Sequence, residues 1–245
     1  MKIQFQIALL FMAGASTLLA QPSAQFAKAN QEYAAGDFKA ALEDYEQLVR
    51  SGERTANLFY DLGNAYFRSN DFGRAILNYE RALALDQRHP EAAANLRIAR
   101  DEARALELMP AKLEWLFGFA TANQFALAAA IAFWLGLFAI VTFVFSPRRR
   151  GGVAGLAILS LLVFAVAVGG GYQLDHGKNG GGLAIVTGQN IEARLATADT
   201  AHTVLALPPG SEIKIDSERG DWIYALLPNN LRGWIPAKAI EPVRP

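Results

Sequence analysis

Two apolar runs lie almost end to end in the middle of the chain. Phe125 to Phe145 is nearly all apolar, inside a stretch free of charge from Trp115 to Pro147, and Gly151 to Leu174 repeats the pattern after a link that ends in Arg148-Arg149-Arg150. A helix needs about 20 apolar residues to cross the hydrocarbon core of a bilayer, so the runs predict two spans, at 123–145 and 152–174. So short a link forces the spans into a hairpin whose outer ends share one side. Arginines collect in cytoplasmic loops, which puts the link in the cytoplasm and both flanking regions outside it. Neither span carries an acidic or basic residue, so the pair reads as an anchor rather than an ion path. Gly136, Gly155 and Ser160 leave room for another helix to approach.

The apolar share of 52% against 19% charged residues reflects these runs. Formal charge is balanced at +0, which removes the basic surplus expected of a nucleic-acid binder. The absence of cysteine removes disulfides, thiolate metal sites, thiol nucleophiles and a lipoprotein anchor. At the start of the chain, Met1-Lys2, an apolar stretch from Ile7 to Ala20 and then Gln21-Pro22 predict a signal peptide at 1–20. Cleavage is expected after Ala20; Leu18 fits the cleavage site poorly, and an uncleaved signal anchor is the alternative. Either form exports the region on its C-terminal side.

Sliding the chain on itself by about 34 residues lays Gly36-Asp37-Phe38 over Asn70-Asp71-Phe72, Ala41 over Ala75, Tyr45 over Tyr79 and Phe26 over Tyr60. The second copy, with Leu62-Gly63, Tyr66, Ala75, Tyr79 and Ala82, resembles the tetratricopeptide repeat (TPR), a helix pair that stacks into arrays. The first copy departs from it at Lys28-Ala29 and Leu48. An array is expected over 22–108, with repeats at 22–55 and 56–89 and a capping helix at 90–108 that starts on Pro90. In this register Phe26, Asn30 and Tyr33 of the first repeat, and Tyr60, Asn64, Phe67 and Arg68 of the second, lie on the face that lines TPR grooves. The asparagines suit a peptide backbone or carboxylate and the aromatics suit apolar contact. Packing of the same aromatics between helices is the competing reading.

Residues 175–182 are glycine-rich and polar and read as a flexible tether. Gly177-Lys178 inside it fails as a phosphate loop, because Asn179 replaces Ser/Thr and a span replaces the preceding strand. Beyond it, five short strands are expected over 183–242: Leu183 to Thr187, Ile191 to Leu195, Ile213 to Ile215, Trp222 to Leu226 and Trp234 to Ile235. Gly210, Gly220-Asp221-Trp222 and Gly233-Trp234-Ile235-Pro236 resemble a bacterial SH3 domain, which implies a small closed barrel. Trp222 and Tyr224 alternate onto one side as a candidate ligand face; Trp234 is expected to be structural.

His89, His176 and His202 are the only histidines, one in each region. No spacing of acidic residues, histidines or nucleophiles suggests a metal site, a cofactor loop or a catalytic set, so no enzyme, cofactor or metal is expected. Asp175-His176 reads as solvated linker. The fold class is therefore multidomain: a helical TPR array, a two-helix transmembrane hairpin and a small all-β SH3-like barrel. This order, together with Leu62-Gly63-Asn64-Ala65-Tyr66, Asn78-Tyr79-Glu80-Arg81-Ala82-Leu83, Asn95-Leu96 and Gly233-Trp234-Ile235-Pro236, resembles the BatE family of aerotolerance-operon proteins. The resemblance implies a non-enzymatic partner of von Willebrand A-type membrane proteins and a MoxR-type ATPase. The expected role is an inner-membrane scaffold whose groove and spans hold other envelope proteins, with peptidoglycan binding through the barrel as the alternative.

Overall fold

The computed structural model describes residues 23–109, 114–145, 150–176 and 181–244. The expected signal segment, most of the arginine link and the centre of the expected tether lie outside the described residues. The chain divides into two compact units, one ending at Glu53 and one beginning at Arg54.

The first unit is a helix pair, α1 (Ala24–Ala34) and α2 (Phe38–Arg50). Ser23 and Asp37 are the N-caps, their side chains accepting from Phe26 N at 3.2 Å and Ala40 N at 3.1 Å. Between the helices Gly36 takes a φ of +84°, which glycine adopts without strain. Ala29 and Ala41 are fully buried, small enough to let the helices close, while Tyr45 and Leu48 fill the space beside them.

The second unit opens with the same design. Thr55 and Asp71 cap α3 (Ala56–Arg68) and α4 (Phe72–Leu85), and Asn70, at φ 60°, stands where the first copy has Gly36. Gly63 is fixed by packing, since a Cβ there would lie 2.7 Å from the Tyr79 ring. Next comes α5 (Pro90–Ala103), with proline in its first turn and His89 Nδ1 accepting from Ala92 N. The capping helix expected to reach 108 stops at Ala103. Arg104 turns left-handed at φ 52°, and the chain leaves the helix to run beside a strand, where Leu106 O accepts from Glu212 N at 2.9 Å.

After the short α6 (Glu114–Phe117) come α7 (Ala122–Phe145) and α8 (Arg150–His176). Both are long and apolar enough to cross a membrane, with a mean hydropathy of 2.5. They pair antiparallel: Phe125 lies against Gly170 and Ser160 against Gly136, in each case close enough that an added Cβ would clash at 2.8 Å. The second helix starts before the expected 152 and runs beyond 174, taking the first residues assigned to the tether.

The C-terminal region is an antiparallel sheet of seven strands: β1 (Leu183–Val186), β2 (Ile191–Arg194), β3 (Thr203–Leu207), β4 (Glu212–Arg219), β5 (Trp222–Leu226), β6 (Arg232–Pro236) and β7 (Ile240–Pro242). Their order is β3-β2-β6-β5-β4-β1-β7. Two strands, β3 and β7, were not expected. They form the two edges and do not pair with each other, so the sheet is not closed as the expected barrel would be. Its core gathers Ala184, Val186, Ala193, Leu207, Ile213 and Ile235 with their neighbours.

The sheet is not a separate module on a tether: within the second unit it is docked on α4 and α5. A Cβ on Gly73 of α4 would sit 3.2 Å from Val186 O, and one on Gly210 would collide with Ile76. Arg81 donates to Pro242 O at 3.0 Å, and Arg74 and Arg81 both face Glu241 at 3.6 Å. Deeper in, Arg100 joins Glu80 of α4 to Glu212 of β4, Glu212 Oε2 accepts from Leu108 N at 2.9 Å, and Ser211 Oγ accepts from Leu106 N at 3.1 Å. Ser211 and Glu212 are buried polar residues with these partners, as burial in a low-dielectric interface requires.

Candidate partner-binding face of the repeats

On α1, three residues stand at one-turn and two-turn intervals. Asn30 Oδ1 accepts from Tyr45 Oη at 2.6 Å, Phe26 lies 5.9 Å from the Tyr45 ring, and Tyr33 meets Phe38 edge-on at 5.3 Å. The second repeat builds the same arrangement from its own residues. Asn64 Oδ1 accepts from Tyr79 Oη at 2.8 Å, Tyr60 lies 6.2 Å from the Tyr79 ring, and Phe67 meets Phe72 edge-on at 5.4 Å. An asparagine on the first helix is thus clamped to a tyrosine on the second in both copies, with the aromatics around it part packed and part exposed.

In the second repeat α5 adds a further layer. Asn95 Nδ2 donates to Asn64 Oδ1 at 2.8 Å and to Tyr60 Oη at 3.4 Å, and the His89 ring lies 4.9 Å from that of Tyr60. The carbonyl oxygen of Asn64 therefore has two internal donors, and its amide N–H groups are what it retains for a partner. Asp61, on the same helix, is partly buried, and that burial pushes its carboxyl up to about 6, against a smaller opposing effect of His89. Arg68 is exposed at the end of α3. The repeat register does not single out Asp61, although it falls one turn before Asn64, and it does not join His89 and Asn95 to the face, because they belong to the start of the next helix and meet Tyr60 and Asn64 only in the fold.

On the sheet, Trp222, Tyr224 and Trp234 share the outer face, while Ile223, Ala225 and Ile235 turn inward. Tyr224 is paired in register with Trp234, their rings 4.9 Å apart, and Trp222 stands opposite Pro236. Trp234 was expected to be structural, yet it is only half-buried here because strand alternation puts it beside Tyr224. Arg232 closes one end of this face on Asp216 at 2.7 Å, a bond that raises its pKa above the ordinary value.

Among the described residues no group of three or more histidine, cysteine, aspartate or glutamate side chains is arranged to hold a metal ion. No curated protein matches the chain. A tetratricopeptide repeat family model matches residues 26–90 and again 60–105, the second match carrying the repeat pattern through α5. Residues 26–105 are therefore similar to tetratricopeptide repeats, which generally serve as scaffolds for protein–protein interaction.

Proposed function

We propose that this chain is a membrane-anchored adaptor whose repeats each present a face for a peptide segment of another envelope protein. The observation that carries it is the clamp that each repeat builds for itself: Asn30 bonded to Tyr45 beside Phe26 in the first, Asn64 bonded to Tyr79 beside Tyr60 in the second, with Tyr33 and Phe67 one turn further along, against Phe38 and Phe72. Amide donors spaced among half-exposed aromatics suit a peptide backbone with apolar side chains. The two apolar helices act as the anchor, with the arginine link in the cytoplasm and both the repeats and the sheet outside. The resemblance to the BatE family supports von Willebrand A-type membrane proteins as partners, alongside a MoxR-type ATPase.

The test is site-specific photo-cross-linking in intact membranes from Arg68, beside the face, and from Glu43, exposed on α2. Adducts with other membrane proteins from the first position and none from the second support the groove; equal labelling from both removes it. A second reading, peptidoglycan binding through the sheet, is favoured by the aromatic outer face of Trp222, Tyr224 and Trp234. Detergent-solubilised full-length protein would then pellet with purified sacculi and lose that property on Trp222→Ala; no pelleting at any salt concentration rejects it.

A further inference from the structure

A cavity of about 470 Å³ opens where α7 begins, between the turn that follows α4, the first turn of α7 and the end of the chain. Arg88 and Arg244 line it with Gln87, Asn123 and Gln124, and Asp86 is its one acid. Asp86 Oδ1 is already an acceptor for Arg88 N at 3.0 Å. The first turn of α7 is capped by its own residues, Thr121 Oγ accepting from Gln124 N and Gln124 Oε1 from Thr121 N, so the cavity's capacity for a ligand lies in its side chains. Neither arginine has an ion-pair partner among the described residues. Two guanidinium groups and side-chain amides, with a single acid, leave the cavity cationic and rich in donors for phosphate oxygens.

Its position narrows the ligand. Ala122 is the first residue of a helix that is almost wholly apolar from Phe125 onward, so the cavity sits where a span would pass from headgroups into hydrocarbon. Leu85 on its wall is 54% exposed, and Phe119, just before α7, is 76% exposed. Exposed apolar side chains beside unpaired cations match a molecule that carries a phosphate and an acyl chain together.

We propose that this cavity binds the phosphodiester headgroup of an anionic phospholipid, with Arg88 and Arg244 on the phosphate and Leu85 against the start of an acyl chain. The assignment rests on the chain being anchored in a membrane. A bound lipid would fix the turn after the second repeat against the first turn of the span, and so fix how the array stands on the bilayer.

The probe is short-chain phosphatidylglycerol, titrated into full-length protein in a zwitterionic detergent, with short-chain phosphatidylcholine and inorganic phosphate as parallel arms and melting temperature as the readout. The expected result is a rise with phosphatidylglycerol alone, with apparent affinity falling about fivefold for each of Arg88→Gln and Arg244→Gln and unchanged for Arg97→Gln, an exposed arginine of α5. An equal rise with phosphatidylcholine, or persistence of the rise in the double variant, overturns the site. An equal rise with inorganic phosphate overturns the lipid assignment. Unliganded melting of each variant shows that the fold is intact. Alkaline extraction of native membranes checks the anchor separately: release of the protein would refute the membrane reading, whatever the titration shows.

Discussion

Arg100, near the end of the last repeat helix, donates to Glu212, the first residue of β4, and the two are 112 positions apart in the chain. The same guanidinium nitrogen donates to Glu80 at 2.5 Å, and the other terminal nitrogen faces Glu107 at 3.3 Å. Repeat and sheet thus meet through a charged cluster in which Arg100, Glu80 and Glu212 are largely out of water while Glu107 stands at its exposed edge, and removing Arg100 leaves Glu80 and Glu212 buried without that compensation.

Arg100→Ala is expected to cost about 3–5 kcal/mol and to loosen the sheet from the array before either unfolds. Residues 105–109 would then lose their bonds to Ser211 and Glu212. Limited trypsin digestion of the full-length protein checks this: cleavage after Arg104 should be slow in the native chain and fast in the variant. Equal rates would show that the cluster does not hold the interface.

Gly210→Ala tests the apolar side of the same contact. At φ +86° any side chain is strained, and a Cβ would run into Ile76 on α4. A loss of about 1–3 kcal/mol is expected, partly recovered by Ile76→Ala in a double-mutant cycle because the collision goes while the backbone strain stays. Thermal melts of the four proteins provide the check.

How much of this was legible depends on range. The helix pairs were, because Ala29 with Ala41 and Gly63 with Tyr79 are local solutions to close helix packing that recur at the repeat period. The two long apolar helices were, because the pattern that predicts each is contained in its own run. Docking of the sheet was not: Gly73 reads as one more helix residue, Gly210 as a turn glycine and Glu212 as the polar start of a strand, and only their meeting with Val186, Ile76 and Arg100 gives them another purpose. β3 was missed because Thr203 to Leu207 has no alternation of apolar and polar residues, and β7 because three residues ending in proline carry too little pattern. On the candidate face, the positions were legible from register, but the internal bonds of Asn64 were not.

Those bonds predict that the two asparagines differ. Asn64→Ala strips an acceptor from both Tyr79 and Asn95, two part-buried bonds at once, at a cost of about 1–3 kcal/mol. Asn30→Ala affects one bond, at an exposed residue, and should cost less. Chemical denaturation of each variant measures the difference. Equal losses would mean that α5 adds nothing to the clamp.

Asp61 gives the pH dependence. Its carboxyl, near 3.8 in an unfolded chain, is pushed to about 6 in the fold, chiefly by burial. The folded state therefore holds the proton more tightly, and the favourable contribution of the protonated acid, complete below about 3.8, is lost as pH rises through about 6. Above that, an ionised and partly desolvated carboxylate remains, which after allowing for the water still reaching it costs about 1–2 kcal/mol. Asp61→Asn removes the charge and keeps the shape, so it should raise the melting temperature at pH 7.5 and leave it unchanged at pH 3.5. A gain of the same size at both values would place the effect in packing, and no gain at pH 7.5 would show that the Asp61 carboxylate is better solvated than its surroundings on α3 imply.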